Sequence, residues 1–441
     1  GGGRTAWGAA GPDPSGSPTP SARRMPHSTA SARGPGLPAA GAQIPSWMTE
    51  LVQLRAHAPP ARRFALFDKG FRPLFLLAAL FAVGGVPAWL LVRRGHLALG
   101  APLLPTAWHA HEMVFGFAAA VIAGFLLTAA SNWTGRVTAV GPALAALAAA
   151  WVAGRVAMLA GGTYGAAVAL AFLPPVAVAV GRPIVLAKSK RNYGIVGLLL
   201  LLSCAQALTL AGGWADDVGW QVLGPRLGVD LVVVLVLVIG GRVIPMFTRN
   251  ATGAGDIANV VWLDRLAIGG ALALTLLDAA QLRGPALSVV AALTALAALA
   301  RTWRWGARRS LGEPLLWVLH VGYLFVPLGL ALRALAVLSP AVDDSTATHA
   351  LTVGAIGTLI LGMMARVSLG HTGRPLVAGR ALGVALALVA IAALVRIAGP
   401  LAGLGERALD VAAALWTVAF LIYLARVGPS LSTPRPDGRP G

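Results

Sequence analysis

Residues 108–130 read WHAHEMVFGFAAAVIAGFLLTAA, two histidines and a glutamate followed at once by an apolar run long enough to cross a bilayer. Similar runs recur along most of the 441-residue chain, which is 57% hydrophobic and 12% charged. A soluble domain is about a quarter charged. Since lipid offers the backbone no hydrogen bonds, spanning segments must be helices or a closed barrel. The runs are continuous rather than alternating, which predicts an all-α polytopic membrane protein.

Polar breaks between the runs predict twelve helices joined by short connections, and no soluble catalytic domain. The twelve-helix membrane domain is expected to cover residues 64–427. Residues 1–63, rich in Gly, Pro, Ala, Ser and Arg, are predicted to be a disordered tail, in part an artefact of start-site assignment. Residues 428–441 are predicted to be a disordered C-terminal tail. The expected helices are 71–92, 107–130, 138–158, 163–187, 194–213, 227–248, 261–281, 285–303, 314–337, 346–369, 376–397 and 408–427.

The net charge of +19 would suit a nucleic-acid partner, but the basic residues lie mainly in loops and tails. That distribution is typical of membrane orientation, so no nucleic-acid partner is expected. Loops after the even-numbered helices hold most Lys and Arg, which predicts that both termini are cytoplasmic. The helix starts that carry His109, His111, Glu112 and His349 would then lie at the outer face.

An internal repeat is suggested by an offset of 238 residues between the second and tenth helices. This offset takes His111 to His349 and Gly124 to Gly362, and it takes Thr134-Gly135-Arg136 to Thr372-Gly373-Arg374. Thr252-Gly253 follows the sixth helix at an intermediate position. The pattern predicts three four-helix units.

The outer histidines are candidate metal ligands because ionisable side chains inside a bilayer are costly and usually functional. Imidazole is the commonest biological metal ligand and also binds haem iron. On a regular helix His109 and His111 point about 200° apart, so two separate sites are favoured over one chelate. Glu112 is expected to share a face with His109. The alternative for His109 is a place in the headgroup region beside Trp108.

Further candidates lie at the cytoplasmic helix ends. Arg242 and Arg366 could pair with haem propionates or could extend to lipid phosphates. Gly240-Gly241 would allow close approach of a helix or a flat cofactor. His320 is either an axial haem ligand or a hydrogen-bonded core histidine. Asp230 is a proton carrier, a partner of a histidine, or a helix N-terminal carboxylate.

Five blocks of the chain closely resemble the NnrS family, bacterial haem- and copper-containing membrane proteins of the nitric oxide response. The resemblance implies haem b and copper as cofactors, nitric oxide as a small-molecule ligand, the bacterial inner membrane and a link to denitrification. It makes His109, His111 and His349 the metal-ligand candidates and adds Arg242, Arg366 and His371 around the cofactors. Which histidine takes which metal stays open. The blocks are FALFDKGFRPLFLLAALFA (64–82), WHAHEMVFGF (108–117), GFLLTAASNWTGR (124–136), GGRVIPMFT (240–248) and HALTVGAIGTLILGMMARVSLGHTGR (349–374).

Two other functions compete with this one. A proton-coupled transporter also commonly has twelve helices, but it should place ionisable residues near the membrane midplane. A catalytic subunit like those of the haem–copper oxygen or nitric oxide reductases also has twelve helices with threefold pseudo-symmetry, and it would need an electron donor that the sequence does not identify. A purely structural membrane protein would leave the histidines unexplained.

Overall fold

The computed structural model describes residues 64–439, and in this part of the chain there are twelve helices and no β-strand. The all-α prediction is therefore confirmed, while the predicted tail at residues 1–63 lies outside the described residues. Eleven helices are long and apolar enough to span a membrane; α7 falls short because Asp264, Arg265 and Asp278 lie within it. In chain order α1–α12 are Phe71–Arg93, Pro105–Thr134, Gly141–Ala160, Tyr164–Leu186, Lys190–Trp214, Val218–Thr252, Val261–Ala279, Pro285–Arg304, Pro314–Leu338, Asp344–His371, Gly379–Leu401 and Gly405–Ser432.

Two helices extend well beyond their predicted ends. Helix α6 starts nine residues before 227, because the Asp217 side chain caps it by accepting from the Trp220 backbone N–H, and the helix continues through Pro225. Asp230 is consequently three turns inside α6 rather than at its start. Helix α12 continues past 428 to Ser432, where buried Val427 and Leu431 still pack against the core.

The helices close into a ring in which α1 packs against both α2 and α12. The FALFDKGFR block holds this closure together. Buried Arg72 donates to the carbonyls of Leu431 and Thr433, both at 2.9 Å, so its charge caps the C-terminus of α12. The Phe71 N–H donates to the Thr128 hydroxyl of α2 at 3.2 Å. One of the blocks that carry the family resemblance thus has a structural role.

The repeat is visible in the backbone. A Thr-Gly pair stands at the C-terminal end of each of α2, α6 and α10, and the glycines Gly135, Gly253 and Gly373 have φ of 65°, 67° and 69°. In each case the threonine hydroxyl donates to the carbonyl four residues earlier. Helices α2 and α10 also contain π-helical segments, Glu112–Ala118 and Ala350–Gly357, whose starts are 238 residues apart. These matches support three units, α1–α4, α5–α8 and α9–α12.

Candidate metal centre

Two imidazoles from different units lie at the same end of the bundle, where α2 and α10 begin, and we call this end the histidine end. His109 lies in the second turn of α2 and His349 in the second turn of α10. The His109 ring stacks on Trp89 of α1, with centroids 4.6 Å apart and planes 19° apart. His109 and His349 are close enough to interact electrostatically, and Arg396 of α11 acts on both.

The hydrogen bond of His349 fixes which ring nitrogen is free. Its Nδ1 lies 2.7 Å from the backbone carbonyl oxygen of Ser345. A carbonyl can only accept, so Nδ1 carries the proton and Nε2 keeps its lone pair. Histidines that bind metals usually donate their other N–H in this way, which makes Nε2 of His349 a suitable ligand atom.

Arg396 supplies a cation beside these imidazoles. Its Nη2 donates to the Ser345 hydroxyl at 3.0 Å, whereas its buried Nε has no hydrogen-bond partner among residues 64–439. A buried donor without a partner is costly, so this guanidinium is suited to an additional anionic group. The two imidazoles and the unpaired Nε donor of Arg396 fit a cofactor whose metal is bound by imidazole and which also carries an acidic group, as haem does.

His111 belongs to a separate, buried cluster between the first unit and α5 of the second, formed by His111, Glu112, Arg155 and Gln206 (the His111 cluster). Its Nδ1 lies 2.9 Å from Glu112 Oε1, and Arg155 Nη1 lies 2.7 Å from the same oxygen. The amide nitrogen of Gln206 lies 3.3 Å from Nε2. A metal ion at Nε2 would have to displace Gln206, and Glu112 is already neutralised by Arg155.

Glu112 and His109 have different partners, although regular helical spacing predicts a shared face. Glu112 contacts His111 and Arg155, whereas His109 stacks on Trp89. Room for Arg155 comes from Gly116, where a Cβ atom would lie 2.5 Å from Nη1. The expectation that His109 and His111 point to different places does agree with the structure.

Trp108 is not a membrane-interface residue. It is buried, and its indole N–H donates to the Met158 carbonyl at 3.1 Å. The headgroup alternative for His109 therefore loses its support. Trp108, which precedes His109 in the chain, and Trp89, which stacks on it, are both buried.

The other two candidate histidines lie toward the opposite end of the bundle. His320 Nε2 is 2.9 Å from the Thr248 hydroxyl, which itself donates to the Ile244 carbonyl. Nε2 must then be the donor, so His320 is arranged as a hydrogen-bonded core histidine. The His371 ring packs on Phe71, with centroids 5.7 Å apart.

Arg242 and Arg366 also lie far from His349. Arg366 is 17 residues after His349 in α10, an axial rise of roughly 25 Å. Its guanidinium lies 4.2 Å from the centroid of the Phe247 ring, and Arg242 donates to the Asn192 side chain at 3.1 Å. One cofactor cannot contact both His349 and Arg366, so the structure does not bring the two predicted groups together.

Gly240-Gly241 does allow a close approach, and at Gly241 the approaching group is a side chain. A Cβ on Gly241 would lie 1.9 Å from Arg301 Nη2. Buried Arg301 donates to the Leu237 carbonyl at 3.0 Å and pairs with Asp264 at 2.6 Å.

Asp230 is paired with an arginine rather than with a histidine. Its Oδ1 lies 2.7 Å from Nη1 of Arg333, which also binds fully buried Asp278. Arg226 and Arg283 extend this network to the surface.

Sequence reasoning missed the arginines inside the apolar helices. The signal was present, because Arg155, Arg333 and Arg396 each interrupt a hydrophobic run (WVAGRVAM, LALRALA and ALVRIAG). Arg396 is the one at the histidine end, where it interacts electrostatically with His109 and His349.

Among residues 64–439, no group of three or more His, Cys, Asp or Glu is placed to hold a metal ion. The arrangement is that of a polytopic helical membrane protein with two imidazoles from separate repeats near one end. A family model for the NnrS protein matches residues 65–435, so the chain belongs to the NnrS family, membrane proteins of the nitric oxide response. This confirms the resemblance seen in the sequence. Comparison with curated proteins gives no match.

Proposed function

We propose that this NnrS-family protein binds a redox metal, as haem b or as copper, through His109 and His349, and that it acts in tolerance to nitric oxide during denitrification. The observation that carries the proposal is the placement of these two imidazoles at the histidine end, near enough to interact electrostatically. The free Nε2 of His349 and the orphaned Nε of Arg396 support it.

Each residue has a distinct task in this proposal. His349 Nε2 and the His109 ring would hold the metal, and Trp89 orients the His109 ring by stacking. Arg396 would pair with an acidic substituent such as a haem propionate. When bound, reduced haem iron or Cu(I) would offer a coordination position to nitric oxide. The His111 cluster would hold the start of α2 in place through its buried ion pair.

For the location we propose the bacterial inner membrane, with the histidine end facing outward and both termini in the cytoplasm. The support is the charge at the opposite end of the bundle, where the end of α8 and the connection after it carry Arg304, Arg308 and Arg309. Nitric oxide is small and weakly polar, so it can reach either end through lipid.

A catalytic role similar to that of nitric oxide reductases is a second candidate, favoured by the three structural repeats. Steady consumption of nitric oxide by purified protein with an electron donor would support it over binding alone. A transporter is not favoured, because the cavity at mid-length of the bundle is lined only by apolar side chains.

The proposal is tested by metal analysis and optical spectra of purified protein, with and without nitric oxide. We expect His109→Ala and His349→Ala each to lose most of the bound metal and the nitric oxide-dependent spectral change. His96→Ala is the matched control, because His96 is an exposed histidine near the same end.

His111→Ala should keep the metal while lowering thermal stability. Full metal content in both the His109 and the His349 variants, or loss of metal in the His111 variant alone, would show that the wrong histidines were chosen.

A further inference from the structure

The bundle contains an apolar cavity at mid-length, well away from the histidines, and this cavity is only partly enclosed. Its volume is about 100 Å³, and all sixteen lining residues are apolar. Most of them come from α2, α6 and α10, the second helix of each unit, with Phe75 of α1 and Leu319 of α9 completing the wall.

The lining follows the internal repeat. Offsets of 118 and 238 residues take each of three α2 positions to lining residues of α6 and α10, so the cavity lies where the three units meet. The three equivalent sets are Val121 with Ile239 and Leu359, Ile122 with Gly240 and Ile360, and Phe125 with Val243 and Met363.

One of these sets breaks the repeat. Where the first and third units have Ile122 and Ile360, the second unit has Gly240, which has no side chain. A Cβ on Gly240 would meet Ile244 Cδ1 and Tyr323 Cδ2 at 3.6 Å, which is ordinary contact. Backbone packing therefore does not require glycine here, in contrast to Gly241. The missing side chain leaves the space open.

We propose that this cavity is a binding site for a small apolar gas molecule. An apolar cavity of about 150 Å³ inside a protein stays dry and takes up benzene or xenon, so a slightly smaller one suits xenon or a diatomic gas. Drug-sized ligands need pockets of roughly 300 Å³ or more, and water needs polar partners that this lining does not offer.

Nitric oxide has the right size and low polarity to be the natural guest. That assignment rests on the proposed function, whereas binding of an inert gas does not. The cavity would hold the gas inside the membrane domain without coordinating it.

Xenon is the probe for the experiment, with purified full-length protein crystallised and pressurised with the gas. We expect an anomalous peak between α2, α6 and α10. Gly240→Ile restores the side chain found in the other two units and should remove the peak. Gly197→Ile is the matched control, because Gly197 is exposed on α5 with no atom within 4 Å of its Cβ position; it should keep the peak.

Absence of xenon from the wild-type cavity, an acyl chain or detergent tail filling it, or a peak that persists in Gly240→Ile would overturn the proposal. Metal content measured on the same samples separates the two proposals. Metal without xenon refutes the cavity alone, and xenon without metal refutes the metal centre alone.

Discussion

At the scale of single residues, the bundle is organised by arginines that enter apolar surroundings and find specific acceptors. Arg155 pairs with Glu112, Arg333 with Asp230 and Asp278, and Arg301 with Asp264. Buried pairs of this kind are sensitive to the loss of one partner, because the remaining charge is left uncompensated.

Glu112→Gln should therefore destabilise the protein by about 3–5 kcal/mol, since Arg155 would keep its charge without a counter-ion. The measurement is the midpoint of thermal unfolding in detergent. Adding Arg155→Met to Glu112→Gln should recover part of the loss. A single variant as stable as the wild type would mean that the ion pair contributes little.

At the scale of elements, the start of α10 determines where His349 lies. The Asp343 side chain caps this helix by accepting from the Thr346 N–H, and His349 follows six residues later. Hydrogen bonding by Thr346, first through its side chain and then through its backbone N–H, lowers the pKa of Asp343 below its usual value, with smaller contributions from Arg396 and His349. The cap and the candidate metal ligand thus depend on one short segment.

Asp343→Ala should cost about 1 kcal/mol, the usual loss for an N-cap, and Asp343→Asn should cost less because Asn also caps helices. Because folding lowers the pKa of Asp343, its charge stabilises the fold above about pH 3.9 and ceases to do so as the pH falls through the lower folded value. Asn does not titrate.

The check is thermal unfolding of the wild type and Asp343→Asn between pH 7 and pH 3. The stability difference between them should shrink toward the acid end. An unchanged difference would indicate that the carboxylate charge has no part in the cap.

At the scale of the whole molecule, Arg72 closes the ring by joining the first helix to the last. It is buried, and it donates to backbone carbonyls beyond the last turn of α12. Charge-assisted hydrogen bonds are the stronger kind, and the buried acceptors would lose their donor if Arg72 were removed.

Arg72→Met should accordingly lower stability by about 2–3 kcal/mol. Arg94→Met is the matched control, because Arg94 pairs with Asp410 at the exposed end of α1, where an ion pair is worth less than about 1 kcal/mol. Thermal unfolding of both variants gives the comparison. Equal losses of stability in the two variants would show that the buried hydrogen bonds of Arg72 contribute no more than an exposed ion pair.

Much of the architecture could be read from the chain itself. Hydropathy is a local property, so twelve helices and their order followed from the runs, and the Thr-Gly repeats indicated three units. The least accurate boundary was the start of α6, because Gly-Pro usually interrupts a helix, whereas here the helix continues through it.

Only the tertiary structure decided which polar groups meet. The sequence placed His109, His111 and His349 at one level of the membrane, but packing between separate helices stacked His109 on Trp89 and enclosed His111 with Glu112 and Arg155. The apolar cavity likewise exists only because three helices, each more than a hundred residues from the next, come together around it. Local hydropathy fixes where a helix crosses the membrane, but contacts between distant helices determine what each of its faces touches.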